Sequence, residues 1–412
     1  MNRQWWVLAH RYVGLVLAGF LLIAGLTGSL LAFFNELDAA VSPQLFQVAQ
    51  PSPDAMPLDS LTLRERLLAA HPHWSINYVD LKPNAGRSIS FFVEEAEDNE
   101  VFTNPYSGEV LGSRKWGDIT QGTKNLMPFI YELHYSLALG VVGTYAFGVI
   151  ALLWTLDCFI GFSLTLPRGR RGSVVAESPA VANGRNWWSR WKPAWLVRRS
   201  SGSYKLNFDL HRAGGLWIWA MLLVIAWSSV AFNLREVYDP VTRALLDFPD
   251  EDSALPALSK PIEQPAIPWR AALQIGRRHM ADEAARRGFE VHEEQWIGYD
   301  ASSGLFSLSV NSSRDVGSEL AETRVYFDAN TGALKHTSLP TGEHSGTTVT
   351  SWLYSLHMAK VWGLPFRVFV CLVGLVVAML SVTGVVIWLR KRRAARNRQG
   401  PTTSTYNPAL DS

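Results

Sequence analysis

The chain has 412 residues, 48% hydrophobic, 12% aromatic and only 18% charged, with 17 Trp, two Cys and a formal net charge of +2. This composition excludes a disordered chain, a collagen and a coiled coil; two cysteines argue against a disulfide scaffold, and near-neutrality gives no basis for nucleic-acid binding. A mean hydropathy of +0.04 fits either an ordinary globular protein or an average over very apolar and very polar segments.

Chain order decides for the second. Residues 12–34 form an apolar run without a charge. Residues 137–166 form another, interrupted only by Asp157, and 214–234 and 369–389 are the third and fourth. Each reaches the roughly 18–20 residues that cross about 30 Å of hydrocarbon, so four transmembrane helices are predicted. The first run is longer than a signal peptide's apolar stretch of about 7–15 residues, and no A-x-A site follows it, so it reads as a retained anchor.

Between the spans lie two polar regions, 35–125 and 235–350. In the first, 63–70 reads as a short helix, 76–81 and 88–93 as strands, and 102–111 as two strands around an Asn104–Glu109 turn. The second repeats the plan: a helix at 268–280, strands at 294–298, 305–310 and 324–327, and a turn at Asp328–Ala333. Asn and Gly supply the turn conformations, and each region reads as a small α+β module.

Charge orients the chain. Residues 168–206 hold nine Lys/Arg against one acid, and 390–398 hold six basic residues and no acid. The polar regions are acidic: thirteen acids against seven bases in 35–125, eighteen against eleven in 235–350. The positive-inside rule puts both termini and the basic loop in the cytoplasm and the two polar regions outside. Trp5, Trp6, Trp187, Trp188, Trp191 and Trp195 fit an aromatic belt on the inner side.

The two halves also align with each other. His10-Arg11-x-x-Gly14-Leu15 opens the first span and His211-Arg212-x-x-Gly215-Leu216 the third. Leu133-His134 precedes the second span and Leu356-His357 the fourth, with Gly140 and Gly363 six residues on and Gly161 and Gly384 twenty-seven on. Thr27 and Ser228 each lie seventeen residues past their histidine. The unit is helix, polar domain, helix, used twice in parallel.

Spans one and three run in the same direction, so His10 and His211 are expected together at the cytoplasmic level; His134 and His357 are then together at the outer level. Two histidine pairs, one near each face, are the pattern of two six-coordinate b-type haems. Gly14, Gly140, Gly214, Gly215 and Gly363 would let a flat macrocycle approach the backbone, or would serve helix packing. Arg11 and Arg212 are candidates for haem propionates, or plain positive-inside flanks. Zinc or copper is the competing metal, although two imidazoles are too few for a closed zinc site. His134 to Pro167 would span about 50 Å as helix, more than the hydrocarbon. The outer pair is therefore expected at or beyond the boundary, on short helices ending near Gly143 and Pro365.

Asp157 is the one acid inside a span, and such acids are functional candidates by default. It is expected to accept a bond from His10 or His211, to relay a proton, or to make a polar contact between helices. Cys158 and Cys371 fall in different leaflets and are not expected to pair. His71, His73, His279, His292, His336 and His344 do not recur at matching offsets. No flavin or nicotinamide fingerprint is visible.

These openings, the Leu-His pairs, and the Tyr106-Ser107-Gly108-Glu109 and Asn330-Thr331-Gly332-Ala333 turns resemble the PepSY-associated transmembrane family. Within it, the sequence is most similar to bacterial inner-membrane siderophore reductases of the ferrioxamine type. The resemblance runs from His10 to about Arg393 and departs where Ser228-Ser229 stands for the Thr-Gly of Thr27-Gly28 and Thr383-Gly384. It implies an inner-membrane reductase of ferric siderophore in the periplasm, with His10, His134, His211 and His357 as axial ligands.

The expected layout is a four-helix membrane protein with two PepSY-like periplasmic domains. It runs transmembrane helix 1 (1–34), domain one (35–125), helix 2 with an extension (126–166), a cytoplasmic loop (167–206), helix 3 (207–234), domain two (235–350), helix 4 with an extension (351–389) and a cytoplasmic tail (390–412). The expected partners are a ferric siderophore, membrane lipid, and a cytoplasmic or quinol electron donor. Trp74, Trp116, Trp269 and Trp296 either line a periplasmic cleft or pack the core. The rival functions are a PepSY regulatory or binding protein, which needs no haem, and a siderophore permease, which the parallel repeat and the lack of an evident broken helix do not favour.

Overall fold

The computed structural model describes residues 3–84, 86–167, 186–199, 202–250, 255–317 and 319–398. Much of the expected basic loop (168–185 and 200–201) and the end of the expected tail (399–412) lie outside the described residues. The chain divides into two units. One comprises Met1–Gly25, Leu153–Leu223 and Leu375–Ser412; the other comprises Leu26–Leu152 and Val224–Gly374.

Among the described residues, three helices are long and apolar enough to cross a membrane: α1 (Arg3–Leu31), α6 (Gly140–Thr165) and α13 (Gly363–Arg398). A fourth span exists if α8 (Ser203–Trp217) and α9 (Trp219–Asn233) count together. The expectation of an unbroken third span needs correction. These two helices meet at a 70° bend, with Ile218 at φ −112°, ψ 15° between them. Both flanking indoles bond outside their own helix: Trp217 Nε1 donates to Trp195 O (3.0 Å) and Trp219 Nε1 to Cys158 O (2.9 Å). The apolar run alone could not reveal these two anchors.

The helices before α6 and α13 are short and separate. α5 (Leu126–Ser136) carries His134, and α12 (Ser345–His357) ends on His357. They stop before the expected ends near Gly143 and Pro365. The chain then turns through left-handed residues: Leu137 and Ala138 (both φ 54°) lead to Gly140 (φ 58°), and Ala359 and Trp362 (both φ 55°) lead to Gly363 (φ 61°). Gly140 and Gly363 thus open the long helices with a conformation that glycine adopts at no steric cost.

The polar regions hold small α+β structure. Helix α4 (Ser60–Ala70) starts on Asp59, whose carboxylate accepts from Thr62 N, a common N-cap arrangement. Strands β2 (Ile89–Phe92), β3 (Glu100–Thr103) and β4 (Val110–Arg114) form an antiparallel sheet in the order β2-β3-β4. A second antiparallel sheet runs β1-β5-β6-β7-β8, where β1 is Tyr78–Asp80, β5 Val291–Asp300, β6 Leu305–Ser312, β7 Thr323–Asp328 and β8 Leu334–Ser338. Strand β1 comes from the first polar region yet pairs with β5 of the second, Val79 opposite Ile297. The two regions also share one core: Leu63, Ile76, Val79 and Phe91 cluster with Phe306, Leu308 and Phe327 beneath α11 (Trp269–Arg287). The two α+β modules are therefore joined through a shared sheet and core.

Buried Arg114 ties the start of this region together. Its guanidinium donates to both oxygens of Asp38 on α2 (Phe34–Val41), at 2.9 and 2.8 Å, and to Glu100 (2.6 Å). Such buried pairs resist the loss of one partner.

Candidate histidine pair sites

The structure brings the four repeated histidines together in twos, one pair in each unit. In the first unit, the His10 and His211 ring centroids are 6.1 Å apart. In the second, those of His134 and His357 are 6.3 Å apart. Imidazole nitrogens about 2.0–2.1 Å from a metal on opposite sides, with each ring centre roughly 1 Å further back, would put the centroids about 6 Å apart. His71 and His73 also approach, at 6.4 Å, but His73 is exposed and His71 stacks on Trp74.

The repeated histidines differ from that surface pair in how each Nδ1 is held. His10 Nδ1 lies 2.9 and 3.0 Å from the two oxygens of Asp157. His211 Nδ1 faces Leu380 O (3.1 Å) and Thr383 Oγ1 (3.0 Å). A carbonyl only accepts, so this nitrogen carries the proton. Thr383 Oγ1 donates its own proton to Met379 O (2.7 Å). His134 Nδ1 meets Thr27 Oγ1 at 3.0 Å. His357 Nδ1 lies 2.6 Å from Ser228 Oγ, whose hydroxyl donates a hydrogen bond to Val224 O (2.8 Å). At His211 the proton on Nδ1 leaves Nε2 as a lone pair, the form in which imidazole binds metals, and an Nδ1 contact of this kind is how a protein orients such a ring.

Glycines make room for three of the rings. A Cβ on Gly28 would sit 3.0 Å from His134 Cε1, on Gly384 3.2 Å from His211 Cε1, and on Gly161 3.4 Å from His10 Cε1. These are not the glycines singled out as a macrocycle's approach. Of those, Gly14 and Gly215 line the cavity described below. Gly214 packs toward Met379, and Gly140 and Gly363 serve the turns. The signal for the true positions was present in the repeat, since Gly161 and Gly384 share an offset, and Thr27 and Ser228 share another. At His357 the fourth glycine is replaced by Ser229, whose hydroxyl donates to Ile225 O (2.8 Å), and Phe232 packs edge-on to the ring.

Around His10 and His211 a cavity of about 450 Å³ opens, in the size range of small-molecule sites. Its wall is mostly apolar, and Arg3, Arg11, Arg212 and Lys391 also line it. Arg212 is held by Pro193 O (2.6 Å) and Asp209 (3.0 Å), while its Nε is buried without a hydrogen-bond partner. Asp157 is buried, and both of its oxygens are turned to His10. Among the described residues no three His, Cys, Asp or Glu gather as a metal-binding group; the donors come in twos.

The remaining candidates fall elsewhere. Trp74 and Trp269 pack against the shared core, Trp296 lies between Tyr78 and Arg324, and Trp116 joins Phe34, Phe92 and Tyr131. Trp191 is buried against Leu216, while Trp5 and Trp188 are exposed. Cys158 and Cys371 are free. His279 bonds Gly332 O, and His344 pairs with Asp247.

A model of the family described as the PepSY-associated TM region matches residues 7–391. No curated protein matches the chain.

Proposed function

We propose, for a chain that belongs to the PepSY-associated TM region family, the role of a membrane reductase that passes electrons through two b-type haems to ferric siderophore outside the cytoplasm. The observation that carries this reading is the meeting of four repeat-related histidines in two pairs, each with its Nδ1 committed inside the protein. The residues fit the group. The ring separations suit an iron between them, the glycines seat the imidazoles, and the 450 Å³ cavity offers an apolar wall with basic residues at the inner pair. His10 and His211 would hold one haem, His134 and His357 the other, with Arg11 and Arg212 beside the propionates of the first. Haem iron supplies one-electron transfer, its potential set by axial ligands, their hydrogen bonds and burial.

The chain's own residues do the rest. Asp157, Thr383, Thr27 and Ser228 fix ring orientation and tautomer. The apolar spans exclude water. Charge asymmetry supports cytoplasmic termini and polar regions in the periplasm of an inner-membrane protein, which the acidic excess there would suit to neutral or cationic iron complexes. One electron reduces the bound ferric ion to ferrous, which hard oxygen donors hold weakly enough to release. The electron donor is a cytoplasmic partner or a quinol.

One observation favours a second reading, a siderophore permease: the 70° break between α8 and α9, since interrupted helices form transporter sites. The absorption spectrum of the purified protein, oxidised and then reduced, separates the two. We expect a Soret band and reduced α band at two haems per chain, both lost in the His134→Ala/His211→Ala double variant. A protein without a Soret band, or a spectrum unchanged in that variant, overturns the reductase and leaves the permease or a haem-free regulator.

A further inference from the structure

The four histidines are held alike except in one respect. Three of them set Nδ1 against neutral groups: His211 against a carbonyl and the Thr383 hydroxyl, His134 against the Thr27 hydroxyl, His357 against the Ser228 hydroxyl. His10 faces a carboxylate instead, both oxygens of Asp157. The repeat makes this difference conspicuous. Asp157 lies 23 residues past His134, and the residue 23 past His357 is Leu380. At that one position one half of the chain supplies an acid and the other half supplies only a backbone carbonyl.

The acid is also costly. Asp157 is buried in an apolar helix, and its partner is His10 rather than a Lys or Arg. A buried carboxylate needs a compensating positive charge, and a ferric centre between His10 and His211 would supply it.

We infer that Asp157 is a positioning residue that sets the direction of electron flow. This rests on the haem reading above. By accepting a hydrogen bond from the Nδ1–H of His10, the Asp157 carboxylate would raise the donor strength of Nε2 and favour the ferric over the ferrous state. The iron held by His10 and His211 is then the poorer holder of an electron. The iron held by His134 and His357, whose ligands lean on hydroxyls, is the better one. An electron passing from an iron held by His10 and His211 to one held by His134 and His357 would oxidise the first from ferrous to ferric and reduce the second from ferric to ferrous, with no proton or further reactant. The downhill direction is from the His10–His211 pair to the His134–His357 pair.

The test is an equilibrium redox titration of purified, haem-loaded protein followed at the α band. Wild type should resolve two one-electron components. In Asp157→Asn that retains haem, the lower component should move upward until that haem is about tenfold easier to reduce, about 59 mV for one electron, while the upper component stays where it was. Asp157→Glu, which keeps the charge, should restore most of the difference. As a mirror test that does not touch this site, Thr27→Asp places a carboxylate against His134 and should lower the upper component by a similar factor. Haem-loaded variants in which neither component moves, or in which Asp157→Asn moves the upper one, overturn the inference and leave the haem reading intact. Wild-type protein without haem overturns both.

Discussion

Gly28 and Gly14 look alike in sequence, each in an apolar run near a Thr or Tyr, yet they stand in opposite environments. A Cβ at Gly28 meets His134 Cε1 at 3.0 Å, whereas at Gly14 it meets nothing within 4 Å. Gly28→Ala must displace the imidazole or the helix, and overpacking of this kind costs about 1–3 kcal/mol. Gly14→Ala should instead be neutral or slightly stabilising, because alanine favours helix by about 1 kcal/mol over glycine. Thermal melting of the two variants in the same detergent measures the contrast; equal melting temperatures would contradict it. The histidines were legible at this scale because a repeat marks its special residues twice. Asp157 was legible as the one acid within an apolar run. The true glycine neighbours were not, because a ring lies against a different helix from its own, and spacing along one helix cannot say which.

At the scale of elements, the sequence located α4 and α11 and most strands, because alternation and turn residues are local signals, but not the helices at Phe34–Val41, Pro43–Phe46 and Arg235–Leu245. It missed β8, a short strand with the pattern Leu-Lys-His-Thr-Ser whose place depends on a helix contact. Glu283 on α11 accepts from Thr337 on β8 (2.9 Å) and from Arg286 and Arg287 of its own helix. Bonding to Arg286 first, then to Thr337 and Arg287, holds its carboxyl down from 4.5 to about 2. A carboxylate depressed in the folded state adds stability that is full above 4.5 and is lost as pH falls through about 2, at most about 3 kcal/mol. The melting temperature of wild type should therefore fall between pH 4.5 and 2 more steeply than that of Glu283→Gln, which should be less stable at pH 6. Parallel pH profiles would remove this anchor from the account. The α8–α9 break was illegible for the same reason as β8: hydropathy sees Trp217 and Trp219 as apolar, while their N–H groups are bound to carbonyls outside their helix.

For the whole molecule, the repeat suggested two copies of one module, and the copies are not independent. β1 was lent to the sheet of the second region, and Leu63 on α4 belongs to the same buried cluster as Phe306 and Phe327. A repeat in sequence reports common local structure; it carries no information about whether the copies close their cores separately, because that depends on contacts between residues some 200 positions apart. The consequence is cooperative. Leu63→Ala leaves a cavity in a fully buried site and should cost about 2–5 kcal/mol. If the core is single, that loss is felt in both regions. Amide hydrogen exchange in the full-length variant should then accelerate in β6 and β7 as well as in β2 and β3, since segments that unfold together lose protection together. Faster exchange confined to β2, β3 and α4, with β6 and β7 as protected as in wild type, would show two separate domains and return the molecule to the arrangement its repeat suggests.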